Sequence, residues 1–271
     1  MNKNSLESEE IGVSQEIRNL GIIILVTAVI STLGVMGYAY LSQPPAKIGV
    51  INIDSEIYSF NYTRQIEDAM NDNSIKAVVV RFNSPGGSVN ASFQTEASLS
   101  NLAEEKPVVA NLEEYASSGA YLVASASDYI YAHEQTITAG LGVIAVWVSY
   151  EDYYENKGID YFVWKSGGQK DWFAPWRKPT DKENSEIDNL VQGYASDLFN
   201  KIIQNRHPHE PENKSEFENL ISELQDGSTI YGAEALYYGL IDNLGGYHDA
   251  VDRVASMAGL REGEYRVVEL S

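Results

Sequence analysis

There is no cysteine in this 271-residue chain. Disulfides, thiolate nucleophiles and cysteine metal sites are therefore excluded. Basic residues are scarce too: 19 Lys and Arg stand against 39 Asp and Glu, a formal net charge of −20. Such a surface has too little positive charge to neutralise phosphates, which argues against nucleic acid or anionic lipid headgroups as partners. Histidine occurs only at positions 133, 207, 209 and 248, and none of them has the context of a Ser-His triad. His207, His209 and Glu210 lie in a Pro-rich polar stretch, which reads as solvated loop rather than metal site. No metal or other cofactor is expected. A G-x-S-x-G nucleophile elbow is absent, as is any repeat of solenoid period. The N-x-S/T patterns at Asn61, Asn90 and Asn213 are given no role.

One feature is present in excess. Residues 20–41 run without a single Asp, Glu, Lys or Arg. At ~1.5 Å per residue they reach across the ~30 Å hydrocarbon core of a bilayer. A signal peptide has an apolar region of roughly 7–15 residues and a small-x-small cleavage site, and neither fits this stretch. A retained transmembrane anchor is expected. Residues 1–19 form a polar tail, expected to be disordered. Residues 42–46, with Pro44 and Pro45, form a short stiff linker. Residues 47–271 are long enough to bury a sizeable core as one domain. Lys3 and Arg18 before the span, against Lys47 after it, favour a tail inside and an extracytoplasmic domain.

In that domain apolar strand-like runs alternate with helical patterns. Strands are expected over 47–53, 76–82, 107–112, 128–132 and 142–148. Helices are expected over 61–72, 88–102, 180–206, 214–224 and 249–257, with another beginning near Ser118. Such alternation predicts an α/β fold with mainly parallel strands.

The stretch Y-A-S-S-G-A-Y at 115–121 reads as strand, tight turn and helix. That geometry can place Ser118 in a first helical turn, where free N–H groups and the helix dipole favour developing negative charge. A serine there is equally read as an N-cap. The hexapeptide N-S-P-G-G-S at 83–88 ends a strand, and Gly87 lacks the Cβ that would keep a substrate backbone away. It is equally read as a plain turn. Lys170, within S-G-G-Q-K-D at 166–171, stands in a loop rich in aromatics and glycine.

Together these three stretches resemble the signal peptide peptidase A (SppA) family of membrane-bound serine proteases, whose fold is Clp-protease/crotonase-like. The terminal stretch 230–245 also resembles that family's C-terminal pattern, and the likeness covers about residues 47–260. The resemblance implies Ser118 as nucleophile and Lys170 as general base. It implies the backbone N–H groups of Gly87 and Gly119 as oxyanion hole, with Gly86 and Ser88 in the substrate-binding turn. It further implies cleavage of signal-peptide remnants or other hydrophobic peptides. A homo-oligomeric ring or dome is implied as well, with the serine and lysine of one site drawn from neighbouring protomers.

Two positions depart from the family pattern. Ala120 replaces a second glycine, and Gly140 stands where the family has a serine that helps orient the lysine. A backbone carbonyl or Thr138 is left to fix the amine. A lysine can take the serine proton only when neutral, so its ordinary pKa of ~10.4 must fall by several units through burial. Trp164, Trp172, Phe173 and Trp176 are the expected source of that desolvation. A crotonase-like acyl-CoA enzyme and a non-catalytic membrane scaffold share the fold and remain rival readings.

Overall fold

The computed structural model describes residues 3–41, 46–206 and 214–270. Pro44, Pro45, His207, His209, Glu210 and Asn213 lie outside the described residues. The chain divides into two compact units, residues 1–45 and 46–271.

The first unit is one helix, α1 (Lys3–Leu41). Within it Ile17–Tyr38 has a mean hydropathy of 2.3, which is long and apolar enough to cross a membrane. Thr27 and Thr32 donate their hydroxyls to the carbonyls of Ile23 and Ala28 one turn back, so neither hydroxyl lacks a partner. The expected disordered tail is instead continuous with this helix from Lys3. Once the apolar stretch has nucleated, each added residue gains one helical bond, and Glu and Leu propagate well.

The second unit is built on an eight-stranded sheet. Along the chain come β1 (Ala46–Ile53), α2 (Asn61–Asn71), β2 (Ile75–Ser84), α3 (Val89–Glu105) and β3 (Val108–Ser117). Next are α4 (Gly119–Ala124), β4 (Tyr129–Ala132), β5 (Ile137–Ala139), α5 (Glu151–Lys157), α6 (Asp181–Arg206) and α7 (Lys214–Glu223). The chain closes with β6 (Thr229–Tyr231), α8 (Gly232–Tyr237), β7 (Asn243–Leu244), α9 (Tyr247–Met257) and β8 (Tyr265–Glu269). The order is β6-β5-β3-β2-β1-β8, with β4 beside β3 and β7 beside β4. Every pairing is parallel except β5 with β6.

The central strands are apolar on both faces because both faces are covered. Ile51, Val78, Val80, Ala110 and Leu112 join a cluster that includes Ile66, Leu99 and Leu122 from the helices on one side. Ile48, Ala77, Val79 and Val109 meet Ala250, Val251, Val254 and Ala255 of α9 on the other. The helix α9 can do this because its small and branched residues recur one turn apart.

Residues 142–148, expected as a strand, form none. Ile144 is 88% exposed, and Val146 and Val148 are exposed with it. Branched residues favour strands only where a pleated, half-buried surface receives them, and no neighbouring strand among the described residues does so. The edge strand β8, the short β5 and the helix α5 were not apparent from periodicity, being three to seven residues long.

Candidate active site

Ser118 sits between β3 and α4 with φ 54° and ψ −125°. A non-glycine residue held at positive φ is strained and persists only where its surroundings impose it. Here the Ser118 N–H donates to Ala139 O at 2.8 Å, and Ser118 O accepts from Leu122 N at 3.0 Å. The following residues, Ala120 to Ala124, are fully buried. The Tyr121 hydroxyl donates to Leu240 O at 2.7 Å, and burial pushes its pKa upward. Although Ser118 occupies the N-cap position, its hydroxyl makes no cap bond. The cap reading of Ser118 is therefore set aside: the side chain is free for another task.

The glycine turn at the end of β2 lies against this serine. Ile57 holds it on one side, donating to Gly86 O at 2.8 Å and accepting from Ser88 N at 3.0 Å. Gly86 has φ 96°, and a Cβ there would stand 2.7 Å from Gly119 N and 3.0 Å from Ser118 Cβ. A Cβ on Gly87 would overlap the Ile57 backbone. Only glycine lets the two segments approach this closely. Neither the Gly87 nor the Gly119 N–H has a hydrogen-bond acceptor among the described residues. Ser88 is the cap of α3, its Oγ accepting from Ala91 N at 3.3 Å.

A cavity of about 670 Å³ opens over this junction, and Gly86, Gly87, Ser88, Ser118 and Gly119 all line it. Phe93, Leu122, Val191 and Leu198 supply apolar wall. The cavity thus presents one serine hydroxyl and two unbonded N–H groups together.

Lys170 is not among the residues lining that cavity. It is exposed, in a turn whose backbone bond runs from Lys170 N to Gly167 O. The aromatics expected to desolvate it do not enclose it within one chain: Trp164 is 89% exposed and Phe173 45%. They lie in the long arm between β5 and α6, so the burial anticipated from composition is not met by the chain alone. Thr138 is not available to orient an amine, since it is fully buried and its hydroxyl donates to Ala116 O at 2.5 Å. Gly140 does line the cavity, at φ 59°. His133 and His248 do not.

Next to Lys170 is a charge cluster that escaped the sequence reading. Asp171 and Glu183 are nearly buried, and Arg177 bridges them, reaching Asp171 Oδ2 at 2.9 Å and Glu183 Oε1 at 2.7 Å. Lys165 also pairs with Asp171 at 2.7 Å. The guanidinium beside them holds the Asp171 carboxyl far below its usual range and lowers Glu183 to about 2. Glu183 further accepts from Thr180 N at 2.9 Å, while Thr180 Oγ1 accepts from Glu183 N at 3.2 Å. This reciprocal cap starts α6. Its signal was available in the T-x-x-E spacing at 180–183.

Residues 100–261 match peptidase family S49. The chain belongs to peptidase family S49. Among its relatives is the signal peptide peptidase SppA homologue of Enterococcus faecium, 30% identical over 193 residues, or 71% of this chain and 54% of that one. Protease 4 of Haemophilus influenzae is 29% identical over 232 residues, covering 80% of this chain and 36% of that one. The chain thus spans from about a third to about half the length of these relatives. Among solved structures, a mutant of the 1510-N membrane-bound stomatin-specific protease in complex with a substrate peptide superposes with a TM-score of 0.51. It is 16% identical, and the match covers 84% of this chain and 94% of that one. The S49 fold is the Clp-protease-like α/β arrangement anticipated for this chain, with an apolar helix preceding it.

Proposed function

We propose that the chain is a membrane-anchored serine endopeptidase that cleaves signal-peptide remnants or other hydrophobic peptides. In this reading residues 20–41 span the bilayer, and the domain from residue 47 lies on the extracytoplasmic side. The observation that carries it is Ser118: a strained, uncapped serine facing a cavity beside two unbonded backbone N–H groups. The names of the S49 relatives support the substrate class.

In the mechanism, Ser118 Oγ adds to the scissile carbonyl carbon while the neutral Lys170 amine takes its proton. The carbonyl electron pair moves onto oxygen, where the N–H groups of Gly87 and Gly119 each contribute roughly 3–4 kcal/mol of stabilisation. Collapse expels the amine leaving group, which receives the proton back from Lys170. Water, deprotonated by the same lysine, then adds to the acyl carbon; the bond to Ser118 Oγ breaks, the lysine returns the proton to that oxygen, and the acyl chain leaves as a carboxylic acid.

Lys170 must be neutral to act, yet it is solvent-exposed in a single chain. A second copy would supply the missing burial by bringing its own arm over this cavity. We therefore assign the working unit to a homo-oligomer in which Lys170 serves a neighbouring Ser118. The apolar, exposed stretch at Ile144, Val146 and Val148 supports that assignment.

Detergent-solubilised full chain, assayed with fluorogenic apolar peptides, tests the reading. Wild type should turn over substrate, and both Ser118→Ala and Lys170→Ala should lose at least ~10³-fold in kcat. Mixing the two inactive variants should restore part of the activity, because each supplies what the other lacks. The exposed lysine also favours a non-catalytic scaffold, for which Ser118→Ala would change nothing.

A further inference from the structure

Several buried side-chain atoms have no hydrogen-bond partner among the described residues, on Thr63, Gln65, Ser92, Asn111, Ser127 and Trp172. Of these residues only Ser92 lines the Ser118 cavity. It lies on α3, is 2% exposed, and faces the nucleophile turn: a Cβ on Gly119 would overlap its Oγ. The same Cβ position is 3.4 Å from Gly87 N. One small region thus gathers the Ser92 hydroxyl and the backbone of both glycines assigned to the oxyanion.

A helical serine has an easy partner in the carbonyl four residues back. Thr95, one turn further on, uses that option and donates to Ala91 O at 2.8 Å. For Ser92 the corresponding acceptor, Ser88 O, is present and already receives the Ser92 N–H at 3.0 Å. The hydroxyl is nevertheless turned away from it, toward Gly119. A buried hydroxyl left unpaired costs stability, so its orientation calls for an acceptor that arrives from outside.

We propose that the Ser92 hydroxyl is a third donor to the oxyanion, beside the N–H groups of Gly87 and Gly119. As Ser118 Oγ bonds to the carbonyl carbon, the π pair moves to oxygen and the Ser92 O–H donates to it. The proton stays on Ser92, and the hydrogen bond is released when the C=O bond re-forms. The Ser118 proton goes to Lys170 in the same step, and Ser92 itself stays neutral throughout. The proposal rests on Ser118 being the nucleophile.

The test uses full chain in detergent: wild type, Ser118→Ala, Ser92→Ala and Ser92→Cys. The readouts are kcat, KM, the affinity of a peptide boronic acid that forms a tetrahedral adduct on the serine, and the unfolding temperature. Ser92→Ala should lower kcat about 10²-fold, as loss of a side-chain oxyanion donor does, with KM within about twofold. Boronate affinity should fall by a similar factor. Its unfolding temperature should hold or rise, because an unpaired hydroxyl is removed. Ser92→Cys keeps a side chain of the same shape, slightly larger, with a weaker donor, and should stay nearer the alanine variant than the wild type.

Unchanged kcat in Ser92→Ala, with Ser118→Ala inactive, overturns the third donor and leaves the nucleophile standing. A kcat loss that comes with a lower unfolding temperature, or that Ser92→Cys restores, marks a packing role and also overturns it. Turnover that survives Ser118→Ala removes the nucleophile and this proposal with it.

Discussion

Gly140 holds φ 59°, and a Cβ there would meet Ser117 Cβ at 3.0 Å and Thr229 Cγ2 at 3.2 Å. The serine that the family resemblance leads one to expect would be strained in this backbone as well as crowded. Left-handed φ costs a residue with a Cβ about 1–2 kcal/mol. Gly140→Ser should therefore lower the unfolding temperature by roughly 2–8 °C for a domain of this size. Differential scanning calorimetry checks it, and an unchanged transition would mean that the turn relaxes to negative φ. Ser118, at φ 54°, carries the same kind of strain. Its strain was invisible in the sequence because serine neither requires nor favours positive φ, whereas Gly86 and Gly87 announce their permissive backbone by type.

At the scale of elements, the stretch from Lys165 to Glu183 is tied down by charge rather than by apolar burial. Arg177 reaches both Asp171 and Glu183, and its guanidinium also lies 4.9 Å from the Trp147 ring centroid. Arg177→Ala leaves two nearly buried carboxylates without this cation. Amide exchange over 165–183 should then speed up at least tenfold, with the core strands keeping their protection. Equal exchange in both proteins would show that the loop is held by other means. The pH dependence follows from the sign of the shifts. Both carboxyls titrate lower in the folded chain than when free, Glu183 at about 2, so their contribution is complete above the ordinary range near pH 4. Protection of this loop should persist down to about that pH and decline as the pH falls toward 2. The cluster was hard to read beforehand because isolated Asp, Glu, Lys and Arg in a loop look solvated. Only their convergence makes them structural.

For the whole molecule the arm between β5 and α6 is decisive. Ile144, Phe162 and Trp164 are 88%, 76% and 89% exposed, far more apolar side chain than a monomer has reason to present to water. Trp147 instead folds inward, its indole N–H donating to Ala174 O at 3.0 Å. If these side chains meet a second copy, the double variant Ile144→Asp, Trp164→Asp should leave the domain folded and sediment as single chains. Sedimentation in detergent reads the mass, and peptide hydrolysis should fall with it if Lys170 serves a neighbouring site. A wild type that sediments as a single chain with full activity would refute the shared site.

Much of the architecture follows from local chemistry. Runs such as 76–82 are β-branched and uncharged at their centre, so they form strands wherever helices can cover both faces, and α9 has the spacing to do so. The apolar stretch 20–41 lacks any charge that water would claim, and it is helical. The glycine turn and Ser118 were likewise legible as a pair of candidates, since their residue types suit a close backbone approach and a nucleophile. Tertiary structure alone decided the rest. Whether Ser118 caps a helix or faces a cavity depends on one φ angle imposed by Ala139 and the buried α4. Whether Lys170 is near it depends on where the long arm between β5 and α6 travels. Residues 142–148 have the composition of a strand, but a strand needs a neighbour to pair with, and composition carries no information about whether one will be there.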